Sequence, residues 1–187
     1  MPLKLNVIIV STRPARIGPK VAHWVRDFAV AHGGFEVELV DLESFRLPIL
    51  DEPKHPRFRD YQHDHTRAWS ESVNSADAFV FVSPEYNFTP PPSFVNAVDY
   101  LFWEWHYKAA GIVTYGGPMG GCRAGQMEKL MLAGMKVMTI PEAVSIPLAP
   151  HLDPDGNFKA STPIEASTKG MLDELAKWAG ALKPLRG

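Results

Sequence analysis

Ala78-Phe79-Val80-Phe81-Val82, running into Ser83-Pro84-Glu85-Tyr86-Asn87, decides how this chain folds. An unbroken apolar run reads as a strand buried on both faces, which belongs in the middle of a parallel sheet with helices on each side. The polar residues after it then emerge at the strand's carboxyl edge, where open α/β sheets bind ligands.

Outward from that segment, short apolar runs alternate with longer amphipathic ones, the signature of βα units. Strands are predicted at Leu3 to Val10, Phe35 to Leu42, Ala78 to Ser83, Ala110 to Tyr115 and Lys136 to Ile140. Pro19 to His32 carries Val21, Ala22, Val25, Phe28 and Ala29 at helical spacing, with proline suited to the first turn and Gly33-Gly34 to the exit. Further helices are predicted from about Thr66 to Ser75, from Pro92 to about Tyr107, from Gly125 to Ala133 and from Ile164 to Leu182. The expected fold is α/β: a flavodoxin-like three-layer sandwich with a five-stranded parallel sheet of order 2-1-3-4-5. At 187 residues, with no break in composition, the whole chain 1–187 is expected to form a single domain.

Hydrophobic content of 45% and charged content of 21% are ordinary for a globular protein, and a formal charge of −2 gives no general attraction for nucleic acid or anionic lipid. The N-terminus enters the first strand at once, unlike a signal peptide, and no apolar stretch approaches the roughly 20 residues that span a bilayer. A single cysteine, Cys122, leaves no internal disulfide and fits a reducing compartment. A soluble, cytoplasmic protein is the expectation.

After the first strand comes Ser11-Thr12-Arg13-Pro14-Ala15-Arg16-Ile17-Gly18. A helix starting just beyond it turns free N–H groups and the positive end of its dipole into the loop, making an anion site. Two hydroxyls and two guanidiniums add donors that suit a terminal phosphate. The bland alternative is that Ser11 and Thr12 form turns and both arginines are solvated. Neither G-x-G-x-x-G nor G-x-x-x-x-G-K-[ST] occurs here, so a mononucleotide phosphate fits better than a dinucleotide.

Ser83 to Asn87, continued through Phe88-Thr89-Pro90-Pro91-Pro92-Ser93-Phe94-Val95-Asn96-Ala97-Val98-Asp99-Tyr100, closely resembles the flavin-ring loop of the NADPH-dependent FMN reductase family, flavodoxin-like quinone, azo-dye and metal-ion reductases. Ser11-Thr12-Arg13 is similar to that family's Ser-x-Arg phosphate segment; where many members have a second serine, this chain has Ile17-Gly18. Thr114-Tyr115-Gly116-Gly117, leading into Pro118-Met119-Gly120-Gly121, resembles its third flavin-contacting loop.

The resemblance implies FMN as cofactor and NADPH or NADH as co-substrate. It implies cofactor contacts at Ser11, Arg13, Arg16, Ile17 and Gly18 for the phosphate, at Pro84, Glu85, Tyr86 and Asn87 for the N5 and O4 edge, and at Tyr115, Gly116 and Gly117 for the pyrimidine end. Small-molecule acceptors follow: quinones, free flavin, azo compounds or metal ions. No catalytic side chain and no metal are expected, because N5 of the flavin takes the hydride. The resemblance also implies a homodimer or homotetramer. Phe102, Trp103, Trp105 and Tyr107 cannot all face inward on one helix, which leaves aromatic surface either for a partner or for a cleft rim.

His63-Asp64-His65 reads as a solvated loop rather than a metal site, and Asp153-Pro154-Asp155-Gly156-Asn157 as a turn. No G-x-S-x-G elbow occurs, and Cys122 has no histidine near it in sequence. Two rival readings remain: a flavodoxin proper that shuttles single electrons, and a cofactor-free binding protein of the same fold.

Overall fold

A computed structural model describes residues 2–186. Five strands, β1 (Leu3–Ile9), β2 (Phe35–Asp41), β3 (Ala78–Pro84), β4 (Ala109–Gly116) and β5 (Met138–Pro147), form one sheet of order β2-β1-β3-β4-β5. Every neighbouring pair is parallel. The order expected from the sequence is therefore found, with β3 central and buried along its whole length.

Helices α1 (Gly18–His32) and α6 (Thr162–Leu182) pack on one face around Val7, Val80, Val82 and Val113. On the other face α3 (Asp64–Ser75), α4 (Pro92–Asp99) and α5 (Cys122–Gly134) cover Ile8, Phe79, Phe81 and Ile112. Alternate residues of each strand thus feed opposite cores, which is why β1, β3 and β4 read as continuous apolar runs. A short α2 (Leu42–Phe45) follows β2, capped by Asp41. Among the described residues, no helix is long and apolar enough to cross a membrane.

Three expectations need correction. The helix from Pro92 ends at Asp99 instead of continuing to about Tyr107. The chain turns there, and Tyr100, Leu101 and Trp105 all reach the core from the irregular segment that follows. Trp105 folds back so that its indole N–H donates to the Val98 carbonyl at 3.1 Å, and it packs edge-on against Trp69 and Phe79. Buried Glu104 accepts from the Phe102 N–H, Tyr61 and Ser70, fixing the turn.

The last strand runs to Pro147 rather than ending at Ile140. Its register shifts between Ala110 and Ile112, so Thr139 and Ala143 pair with residues only two apart on β4. Pro141 and Glu142 fall in that irregular stretch and hide the strand from a hydropathy reading; an edge strand tolerates both.

His63 and His65 do not lie in a plain loop: they sit at the start of α3 with rings stacked at 5.1 Å, and His65 bonds Asp51 at 3.0 Å. The Asp153 segment is a turn, with Gly156 at φ +70° and the Asp153 carboxylate accepting from the Asn157 N–H.

Candidate functional site

The loops after β1, β3 and β4 converge because those strands are neighbours and end at the same edge. The first of them carries a dense set of unused donors. Among the described residues, none of the backbone N–H groups from Ser11 to Gly18 finds an acceptor, whereas Val10 N–H still bonds the Val82 carbonyl. Ile17 stands at the N-terminus of α1 with no side-chain cap, so the orphan donors of the first turn also face the loop. A tetrahedral anion is the partner such a concavity fits.

Its floor is built by three side chains or their absence. Tyr115, buried at the end of β4, donates its hydroxyl to Ser11 Oγ at 3.2 Å. A Cβ on Gly18 would lie 2.3 Å from Ser11 Oγ and 2.7 Å from Tyr115 Oη, so only glycine lets α1 begin against this pair. Burial pushes the Tyr115 phenol up to about 12, and Arg16 and Arg13 together with Ser11 pull it back, which places both guanidiniums near the same spot.

The arginines differ. Arg16 forms an ion pair with Asp41 at the end of β2, leaving its buried Nε without a partner. Arg13 is exposed and, among the described residues, has no ion-pair partner, so its full fork of donors is available.

After β3 the chain makes a tight turn. Tyr86 and Thr89 exchange backbone hydrogen bonds at 2.9 and 3.0 Å, and the residues between them, Asn87 and Phe88, stand at φ +51° and +72°. Two left-handed residues in succession make a primed turn. Asparagine tolerates this, but phenylalanine is strained there, and such strain gathers at ligand sites. Of the amides expected to meet a ligand, Glu85 N–H bonds Tyr115 O and Tyr86 N–H bonds Thr89 O, whereas Asn87 and Phe88 N–H have no acceptor among the described residues. Phe88 is thus a candidate contact that sequence reasoning missed; its positive φ was not legible.

The Glu85 side chain turns away from the loop. It accepts from Arg123 N–H at 3.1 Å and Ala124 N–H at 3.4 Å, capping α5, and pairs with the Arg123 guanidinium, which stacks 4.3 Å over Phe88. In the third loop the close approaches belong to Gly120 and Gly121, both at positive φ, where a Cβ would come within 3 Å of Ile146 N and of Thr114 Cβ. Gly117, by contrast, faces open space. Tyr115's side chain lies under the first loop rather than beside the third. An apolar groove of about 910 Å³ adjoins the first two loops, lined by Thr12, Leu50, Pro90, Val95 and Met127.

These residues fit FMN: unsatisfied amides and Arg13 for a phosphate, free Asn87 and Phe88 amides for a ring edge, and open room at Gly117. Residues 3–151 match the model of the family described as NADPH-dependent FMN reductase. An NAD(P)H-dependent FMN reductase of Schizosaccharomyces pombe is 37% identical over 147 residues, covering 77% of this chain and 74% of the relative. A quinone reductase of Pseudomonas putida is 25% identical over 181 residues, 92% of each chain. The same fold occurs in FerB, a flavoenzyme NAD(P)H:(acceptor) oxidoreductase from Paracoccus denitrificans, with a TM-score of 0.74 at 20% identity over 96% of this chain and 98% of that one. With the family model spanning most of the sheet and all three loops, the chain belongs to the NADPH-dependent FMN reductase family and is an FMN-dependent oxidoreductase that uses NAD(P)H.

Proposed function

We propose that FMN sits across the three loops, with its phosphate among Ser11, Arg13, Arg16, Ile17 and Gly18. The ring edge lies on Pro84 to Asn87, extended to Phe88, and the pyrimidine end lies near Gly116 and Gly117. The observation that carries this reading is the row of unsatisfied N–H groups from Ser11 to Gly18, floored by Ser11 and Tyr115. FMN supplies the hydride-accepting centre; the chain binds and orients it. Asn87 and Phe88 N–H offer donors where negative charge accumulates on reduction. Pro84 stiffens the approach, and Glu85 anchors the turn to α5.

Acceptors are small molecules that reach an exposed ring face: quinones, free flavin, azo compounds or metal ions. The quinone reductase relative supports the first of these. The whole of 1–187 acts as one FMN-binding domain. It works as a homodimer or homotetramer across the groove beside α4, where Ile49, Leu50, Val95 and Met127 leave apolar surface. A free Cys122 suits a cytoplasmic location. Steady-state assays with NADH and NADPH against a panel of these acceptors test the reading. Turnover of quinones supports it, and flavin-bound protein inert toward every acceptor overturns it.

A further inference from the structure

The turn that carries the free Asn87 and Phe88 amides also holds a bare aromatic ring in a fixed place. Phe88 is 62% exposed, and its backbone stands at φ +72°, where a side chain of that bulk is strained. Burial does not offset that strain. The turn imposes it all the same: Tyr86 and Thr89 exchange backbone hydrogen bonds, and the Thr89 hydroxyl donates to the Tyr86 carbonyl at 2.9 Å. Strain held in this way by the surrounding structure gathers at ligand sites.

The ring is braced on one face. The Arg123 guanidinium lies 4.3 Å from its centroid, and one Glu85 oxygen holds that guanidinium at 3.2 Å while the other accepts from the Arg123 and Ala124 N–H groups at the start of α5. Turn, ring, cation and helix are thus one connected unit. Thr89 and Pro90, next in the chain, line the apolar groove, and so does Met127, one helical turn beyond Arg123 on α5. Phe88 is therefore flanked by groove wall both along the chain and across its stacked partner, in the same turn as the two amides without acceptors.

A rigid, exposed aromatic ring beside a few free donors and an apolar groove is the make-up of a site for a flat ligand. We propose that Phe88 selects the electron acceptor: the ring face that Arg123 leaves open stacks planar quinonoid acceptors at the edge of the flavin, and Arg123 and Glu85 are positioning residues that hold the ring for them. Compact acceptors such as ferricyanide have no face to stack and gain nothing from it. The inference rests on the reading that the Pro84 to Phe88 turn borders the FMN ring.

The first measurement needs no turnover. Binding of menadione to oxidised, FMN-loaded protein, read by equilibrium dialysis without NAD(P)H, should weaken about tenfold in Phe88→Ala and stay within about twofold of wild type in Phe88→Tyr, which keeps the ring. The second is the ratio of kcat/KM for menadione to that for ferricyanide, which cancels changes in the donor step and in the amount of FMN bound. It should fall about tenfold in Phe88→Ala, be kept in Phe88→Tyr, and fall part-way in Arg123→Met, where the ring loses its brace. Equal losses for both acceptors in Phe88→Ala, or menadione binding as tight as in wild type, overturns the proposal; so does a shift of Phe88→Ala to monomer in light scattering with the ratio kept, which makes the ring an interface contact. The placement of the turn is read separately by amide NMR of wild type, in which the Asn87 and Phe88 resonances should move when bound FMN is reduced. If they stay still, the flavin-edge reading fails and the proposal with it; if they move and the ratio is kept in Phe88→Ala, the stacking role alone fails.

Discussion

The Tyr115 hydroxyl donates to Ser11 Oγ at 3.2 Å, joining residues 104 apart in sequence, and Gly18 begins α1 against both oxygens. This small junction ties the end of β4 to the loop after β1. Gly18→Ala should push the junction apart, since its Cβ would meet Ser11 Oγ at 2.3 Å. Overpacking of this kind costs about 1–3 kcal/mol. We expect FMN affinity to fall at least tenfold, about 1.4 kcal/mol, with melting temperature reduced less than for a core substitution. Flavin titration with thermal melts checks it.

Two buried ionisable groups should shape stability against pH in opposite directions. Glu128 titrates near 8 in the fold against an ordinary 4.5, so between those values the folded state holds a proton that the unfolded chain has released, and stability falls as pH rises. Lys108, buried and donating to the Val73 and Asn74 carbonyls, is lowered by burial to about 7 from 10.5. Between about 7 and 10.5 the unfolded chain binds the extra proton, so there stability rises with pH. Glu128→Leu should flatten the lower window and Lys108→Met the upper one, each by more than about 1 kcal/mol, in urea titrations at closely spaced pH.

Because donor and acceptor need the same exposed ring face, initial-rate lines should be parallel, with NAD(P)H and quinone each inhibiting competitively against the other at high concentration. Intersecting lines would require a second binding face.

The exposed aromatics are placed differently from what a long helix suggested. Trp103 and Tyr107 stand near the amino edge of the sheet, where Tyr107 N–H bonds Lys136 O just before β5, and Trp103's indole N–H donates to Arg57 O at 2.7 Å. They cannot rim the cleft at the carboxyl edge. Val95→Glu, in the α4 groove, should therefore shift light-scattering mass toward monomer, while Trp103→Glu should leave it unchanged. The reverse result would move the interface to the amino edge.

Much of this was legible in the sequence. Apolar runs such as Ala78 to Val82 exposed the central strands because they are buried on both faces, and β-α alternation pointed to a doubly wound parallel sheet; the choice of the order 2-1-3-4-5 rested on the shortness of the chain, because the same alternation serves other orders. The three loops were found as segments; what each residue does inside them was not. Glu85 as a helix cap and Tyr115 as a floor for the first loop depend on side-chain direction, which spacing does not encode. The left-handed Phe88 breaks its own local preference, so no propensity reading finds it. Glu128 looks like an ordinary surface residue of an amphipathic helix until the packing of α5 against β3 and β4 is known.

The central claim, that the loop from Ser11 to Gly18 holds the FMN phosphate, is tested most directly by comparing FMN with riboflavin, which lacks that phosphate, in wild type and Arg13→Ala. Removing one charge-assisted contact costs about 1.5–3 kcal/mol, so FMN binding should weaken roughly 10- to 150-fold. Riboflavin affinity should stay unchanged. Equal losses for both ligands, or no loss for FMN, would contradict the account.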